Sequence, residues 1–273
     1  MKELSLRENQ LAALEILKKV ASICDREGFK YFLAYGTLIG TIRHNGFIPW
    51  DDDLDIWMPR PDYEKFLSYF EEHKEELMPL MAFNQRTCSQ YPYMITRISD
   101  TKYWLDVVNE KNYGIGTFID IYVLDGIGSD LKKAKKIGRK AKVYSSFLFQ
   151  ATRVKFQMGI TKGLKKRVLK FPVYCYAKLR GKQYFINKLQ GLVDRNSYED
   201  SNYIGVISWC VNDEREIMQK DWYKNVLRHK FEDADFNIPG GYDKILTQIY
   251  KNYMQKPPEK DRVPHHLYRT FKK

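Results

Sequence analysis

Residues 49–58, PWDDDLDIWM, place Asp51, Asp52, Asp53 and Asp55 within five positions, between a Pro-Trp corner and an apolar run. Neighbouring carboxylates raise one another's cost of ionising, and burial raises it further. Alternate side chains share one face of a strand, so Asp53 and Asp55 are expected to project together while Leu54 and Ile56 enter the core. Asp51 joins them if the strand starts early, and Asp52 points away. Two carboxylates so placed at a strand end form a claw for a hard cation that prefers oxygen. The expected ion is Mg²⁺, one or two of them, with Mn²⁺ as a substitute. The competing reading is an acidic turn ahead of an edge strand, and the alternation with Leu54, Ile56 and Trp57 weighs against it.

Upstream, AYGTLIGTIRHNG (34–46) supplies what a metal-held phosphate needs next. A strand ending at Gly36-Thr37 and feeding a helix exposes backbone N–H groups and a hydroxyl at a positive helix end. Gly40 permits close approach, and Arg43 and His44 can reach phosphate oxygens.

The remaining periodicities give a coarse order of elements. A wide apolar stripe predicts a helix over 6–27 that ends at Gly28. KYFLAYG (30–36) reads as a strand, 37–46 as a short helix, 53–58 as a strand closed by Pro59, and 60–77 as a helix. YMITRIS (93–99), YWLDVV (103–108) and TFIDIYVL (117–124) are strand candidates, 184–230 reads as mostly helical, and 242–254 as one amphipathic helix. Strands and helices in this order predict a mixed α/β (α+β) sheet flanked by helices.

Length and charge set outer bounds. The 273 residues can bury a full core, as one domain or one domain with an insertion. The opening MKELSLRENQ has no apolar h-region, and no run approaches the roughly 18 apolar residues of a membrane span. Cys24, Cys88, Cys175 and Cys210 are scattered without a CxxC pair, which argues against zinc and fits reduced thiols in a cytoplasmic protein. The net charge of +12 is concentrated: residues 131–193 carry 18 of the 46 Lys and Arg and none of the 34 Asp and Glu. This divides the chain into a body, 1–130 with 194–273, and a basic, largely helical insertion, 131–193. The insertion also holds Phe147, Phe149, Phe156 and Phe171, so contact with an anionic membrane is preferred over nucleic-acid binding; an ordinary solvated face is the third reading. Lys132, Lys133, Lys135, Lys136, Lys165, Lys166 and Arg167 are the expected lipid contacts.

The stretch YGTLIGTIRHNGFIPWDDDLDIWM resembles the signature of the LicD/fukutin family, a branch of the nucleotidyltransferase superfold. The likeness extends through RISDTKYW (97–104) and the C-terminal IPGGYDKILTQIYKNYMQKPPEKDRVPHH (238–266), which departs from the family's Tyr-Gly-Asp at YKNY (250–253). The resemblance implies transfer of a phosphorylated alcohol from a CDP-linked donor to a sugar hydroxyl, releasing CMP. Choline is the expected alcohol, with ribitol or glycerol as alternatives, and a lipid-linked precursor of teichoic acid or lipopolysaccharide is the expected acceptor. It implies Asp53, Asp55 and Asp120 as the catalytic carboxylates, with Asp120 completing the metal site or taking the acceptor's proton, and a phosphate site built from Gly36, Thr37, Gly40, Arg43, His44, Arg97 and Arg262. His265 and His266 fall on the acceptor side. Tyr91, Tyr93, Trp104 and Trp209 are candidates for an aromatic cage around choline. Such an enzyme is expected at the inner face of the cell membrane without spanning it. A nucleotidyltransferase proper, a phosphodiesterase and a nucleic-acid-binding module are the competing classes.

Overall fold

A computed structural model describes residues 1–156, 164–210, 213–264 and 268–273. In chain order the elements are β1 (Lys2–Glu3), α1 (Leu6–Glu27), β2 (Phe32–Leu33), α2 (Tyr35–His44), β3 (Asp55–Pro59) and α3 (Arg60–Glu72). Then come α4 (Lys74–Leu77), β4 (Leu80–Phe83), β5 (Thr96–Asp100), β6 (Tyr103–Val107), β7 (Thr117–Gly126), α5 (Leu131–Thr152), α6 (Leu164–Arg180) and α7 (Lys182–Val193). The chain closes with β8 (Tyr203–Gly205), β9 (Met218–Gln219), β10 (Val226–Phe231), β11 (Ala234–Pro239), α8 (Tyr242–Tyr250) and β12 (Tyr268–Lys272).

The sheet that carries the site runs β2-β3-β7-β5-β4, with β8 and β9 continuing from the far end of β7. β3 and β7 are parallel; the other pairs are antiparallel. β7 is buried at nine of its ten positions, as a strand covered on both faces must be. The fold is therefore the mixed α/β arrangement expected from the order of elements.

Helix α1 begins with a reciprocal capping box. The Glu8 amide donates to Ser5 Oγ and the Ser5 amide to Glu8 Oε2, at 3.3 and 2.8 Å. It ends at Gly28, whose φ of +72° lies in the left-handed region where glycine costs least. Its stripe of Leu14, Leu17 and Val20 joins Ile56, Phe66, Ile119 and Ile121 in the main core. Each large apolar side chain so buried contributes about 1.5–3 kcal/mol.

Two expectations are corrected. The region 184–230 is α-helical only to Val193; beyond it the chain forms β8, β9, two short 3-10 turns (Asp213–Glu216 and Lys220–Tyr223) and then the hairpin β10–β11, whose register pairs Val226 with Pro239 and Phe231 with Ala234. Phe231, Phe236 and Ile238 alternate into the core, a period-two pattern hidden among charged residues on the outer face. The strand written as 53–58 begins at Asp55, and Tyr35 and Gly36 belong to α2.

The basic segment forms α5, α6 and α7. Its apolar cluster of Ala141, Leu148, Phe185 and Leu189 is completed by Ile127, Ile207, Cys210 and Ile217 from outside 131–193. Buried Arg153 pairs with Glu110 at 2.5 Å and donates to Tyr93 Oη at 2.6 Å, tying the end of α5 to the body.

Candidate active site

The acidic stretch is held by its backbone. Residues 51–54 are irregular, and two buried polar residues of α1 reach them. Gln10 Nε2 donates to the Asp51 carbonyl at 2.8 Å, and Asn9 Nδ2 to that of Asp52 at 3.4 Å. Tyr268 Oη donates to the same Asp52 carbonyl at 2.7 Å. Asn9 is itself fixed by the Thr117 hydroxyl at 3.1 Å. Buried amides are costly unless bonded, and here each serves an otherwise irregular chain. The signal for Asn9 and Gln10 is present in the sequence as a polar pair interrupting the apolar stripe of α1.

Strand register then sets Asp55 beside Asp120 on β7, and Asp120 beside Arg97 on β5. Arg97 Nε donates to Asp120 Oδ1 at 2.9 Å, and the guanidinium lies 4.1 Å above the Phe118 ring. Asp55 Oδ1 is buried with no hydrogen-bond partner among the described residues. Burial pushes the Asp55 carboxyl well above the usual carboxylate range, and the charges of Asp53, Asp120 and Asp51 push it further.

Asp51, Asp53 and Asp55 line a cleft of about 720 Å³, together with Tyr35 and Gly36 at the start of α2. A Cβ on Gly36 would lie 2.5 Å from Asp51 Oδ2, so the helix backbone meets that carboxylate directly. One carboxylate oxygen each from Asp51, Asp52 and Asp53 lies within 4.8 Å of the other two. Asp52, expected to point away, therefore belongs to the acidic group, although it is buried and off the cleft wall; period-two alternation does not apply before Asp55. These donors suit a hard divalent cation: all are carboxylate oxygens, crowded, and one is orphaned.

The other expected phosphate ligands divide. Gly36 and Arg43 line the cleft. Arg43 also donates to the Tyr253 carbonyl at 2.8 Å, fastening the C-terminal loop to α2. Thr37 is buried, and its hydroxyl accepts from the Asp55 amide at 2.9 Å, so it ties α2 to β3. At Gly40 a Cβ would strike the Gly46 carbonyl at 2.5 Å, so the close approach there is by the protein's own backbone. His44 lies beside Arg43, its Nε2 buried without a hydrogen-bond partner among the described residues. Burial, then Arg43 and Lys256, lower its pKa. Arg97 faces Asp120, and Arg262 sits 5.6 Å over the Trp50 ring and donates to the Pro257 carbonyl at 2.9 Å. His265 and His266 lie outside the described residues, as do the side chains of Lys165, Lys166 and Arg167.

The proposed aromatic cage is in the wrong place. Tyr91, Tyr93 and Trp209 belong to or pack on a separate apolar cluster, Trp104 sits on β6, and none lines the cleft. The aromatics that do are Tyr35, Trp50, Tyr122, Tyr250 and Tyr253, with Glu216 and Lys256 among the remaining wall residues. Tyr250, Asn252 and Tyr253 come from the YKNY run that departs from the family pattern. Sequence offered no cue to Glu216, which reaches the cleft from the chain between β8 and β9.

On the insertion, Lys132, Lys133 and Lys136 are exposed, whereas Lys135 and Arg139 each lie 3.2 Å from Glu214. Phe147 stacks on Phe185 at 5.3 Å, and Phe156 packs against Phe171 and Tyr174. The outward apolar groups are Phe149 and Phe171 of those expected, with Val143 on α5 and Val173, Tyr176 and Leu179 on α6, Leu179 being 85% exposed. Among the described residues no helix is long and apolar enough to cross a membrane.

Residues 28–161 match the LicD/FKTN/FKRP nucleotidyltransferase domain. The chain is 31% identical over 274 residues to the lipopolysaccharide cholinephosphotransferase LicD of Haemophilus influenzae, covering 99% of both proteins. An uncharacterized protein of Rickettsia prowazekii is 32% identical over 83 residues, 29% of this chain and 31% of that one. Another, from Rickettsia typhi, is 34% identical over 65 residues, 24% of this chain and 21% of that one. The chain belongs to the LicD/FKTN/FKRP family.

Proposed function

We propose that the protein is a phosphotransferase that moves phosphorylcholine from CDP-choline to a sugar hydroxyl of a cell-surface glycan precursor, of the lipopolysaccharide or teichoic acid kind, releasing CMP. The observation that carries this reading is the crowded aspartate group at one end of a cleft, in a chain similar from end to end to a cholinephosphotransferase.

Asp51, Asp53 and Asp55 would hold Mg²⁺ or Mn²⁺, as one ion or two, with Asp52 and Asp120 supporting them. The ion supplies Lewis-acid stabilisation of charge on the diphosphate. The first turn of α2, open to the cleft at Gly36, offers backbone N–H groups to a phosphate oxygen. Arg43 and Lys256 add positive charge on the same wall. The acceptor oxygen bonds to the choline-bearing phosphorus, the bond from that phosphorus to the CMP oxygen breaks, and the acceptor proton passes to a carboxylate of the group.

The acceptor is expected to be lipid-linked, which puts the enzyme at the inner face of the membrane. Support comes from α6, where Phe171, Cys175, Tyr176 and Leu179 share one exposed arc at helical spacing beside Lys178 and Arg180.

The test is incubation with CDP-choline, CDP-ribitol and CDP-glycerol in turn, with Mg²⁺ and a glycan acceptor. CMP release with choline phosphate on the glycan is expected. Nucleotide retained on the acceptor would make the protein a nucleotidyltransferase, and preference for CDP-ribitol or CDP-glycerol would replace choline as the alcohol.

A further inference from the structure

Glu216 is 1% exposed yet lines the same cleft as the aspartates, and the backbone around it is well tied down. Gln248 Nε2 donates to the carbonyls of Arg215 and Ile217 at 2.9 and 2.7 Å, and the Ile217 amide donates to Glu214 O at 3.3 Å. Gly205 of β8 lies so near that a Cβ there would sit 2.5 Å from the Glu216 carbonyl. The backbone on either side of Glu216 is thereby fixed.

Tyr35, Tyr122 and Tyr250 line the same cleft as Glu216 and the aspartates. Apart from burial, the strongest influence raising the Tyr35 hydroxyl pKa is Glu216, and Asp55 acts on it too. Tyr250 is raised by burial, then by Asp55 and Glu216, with Asp51 and Asp53 behind them. Both hydroxyls are therefore within electrostatic reach of Glu216 and Asp55. The Tyr35 ring is locked edge-on against Trp57 and Tyr122, with centroids 4.9 and 5.0 Å apart, and its φ of +42° is a left-handed conformation that a bulky residue seldom adopts. Of the other rings on the wall, Trp50 already has the Arg262 guanidinium over it, and Tyr253 Oη donates to Asp243 Oδ1 at 2.7 Å.

We infer that the pocket of Tyr35, Tyr122, Tyr250 and Glu216 seats the quaternary ammonium of the donor, with Glu216 as its counter-charge. This rests on the choline reading above and names the residues that would enforce it. A trimethylammonium group has no N–H to donate, so it is satisfied by ring faces and a nearby carboxylate rather than by hydrogen bonds. The phosphate of the same small zwitterion would face Gly36 and the aspartate end. An uncharged polyol can donate hydroxyl hydrogen bonds to Glu216 but brings no positive charge to balance it.

Glu216→Gln keeps size and removes charge. In steady-state assays it should raise KM for CDP-choline at least tenfold with a smaller change in kcat, and cut the preference for CDP-choline over CDP-glycerol by the same factor. In metal-free protein, quenching of intrinsic fluorescence by tetramethylammonium should saturate in the wild type and weaken at least tenfold in Glu216→Gln and in Tyr250→Leu. Tyr250 is 39% exposed, so the latter variant tests the pocket even if the Glu216 change impairs folding. Wild type that uses CDP-choline while both variants keep its KM and tetramethylammonium affinity overturns this assignment alone. Wild type that ignores CDP-choline but uses another CDP-alcohol overturns the choline reading itself.

Discussion

Asp55 and Asp120 are register partners on parallel strands, yet their surroundings are opposite. Asp120 accepts from Arg97 at 2.9 Å, whereas Asp55 keeps a buried oxygen with no hydrogen-bond partner among the described residues. The same substitution should therefore give opposite results. Asp55→Asn removes one charge from a repulsive group, so transfer is nearly abolished while the melting temperature holds or rises. Asp120→Asn strips the Arg97 guanidinium of its carboxylate in a site where the two side chains are 15% and 6% exposed. Breaking such a pair costs about 3–5 kcal/mol. Thermal melts of both variants decide this, and equal destabilisation would falsify the contrast.

The metal-free protein should lose stability as pH rises. Asp55 has its folded-state pKa raised by burial and by its neighbours, so the folded state holds a proton that the unfolded chain has released. That contribution is fully present below the usual carboxylate range and is lost as pH climbs from there through the raised value. Asp125, pushed from 3.8 to about 6 mainly by burial, adds a loss of the same sign across that interval. Melting temperature measured from pH 4 to 8 in EDTA should fall more steeply for the wild type than for Asp55→Asn. Mg²⁺ at pH 7.5 should raise it for the wild type and not for the variant. Parallel curves in EDTA would show that Asp55 is not under this strain.

Two glycines of α2 should respond differently to alanine, although alanine favours a helix interior by up to about 1 kcal/mol. At position 36 the new methyl meets the tip of the Asp51 side chain, which can turn aside. Gly36→Ala should fold normally and bind Mg²⁺ at least tenfold more weakly in calorimetric titration. At position 40 it meets the Gly46 carbonyl at 2.5 Å, which is backbone and cannot turn. Gly40→Ala should instead lower the melting temperature by several degrees.

The exposed arc of α6 predicts binding to vesicles containing anionic lipid, weakening with salt because each Lys or Arg near the surface contributes about 1 kcal/mol. Phe171→Glu with Leu179→Glu should abolish sedimentation with such vesicles and leave transfer to a short soluble acceptor intact. Equal partition to neutral vesicles, or tight binding to RNA instead, would rule out an electrostatic membrane contact.

What the sequence determined by itself was local and periodic. The α1 boundaries follow from a cap, a stripe and Gly28, and β7 from a run of residues that suits a strand buried on both faces. The acidic stretch announced itself because its side chains and its neighbours' apolarity conflict at short range, and the resemblance carried by 35–58 pointed to the family. Tertiary structure decided which partner each group has. Thr37 and Gly40 carry the right residue types for a phosphate site, but a backbone amide and a carbonyl from elsewhere in the chain claim them. Arg97 could have met phosphate until strand register set it beside Asp120. The cage aromatics could not be chosen from 40 candidates, because membership of a cleft wall depends on chain segments separated by more than 200 positions, such as Tyr35 and Tyr250. Glu216 has no local signature at all. Its burial and its place on the cleft wall exist only once β8 and α8 have packed around it, since long-range packing leaves no mark in the residues on either side.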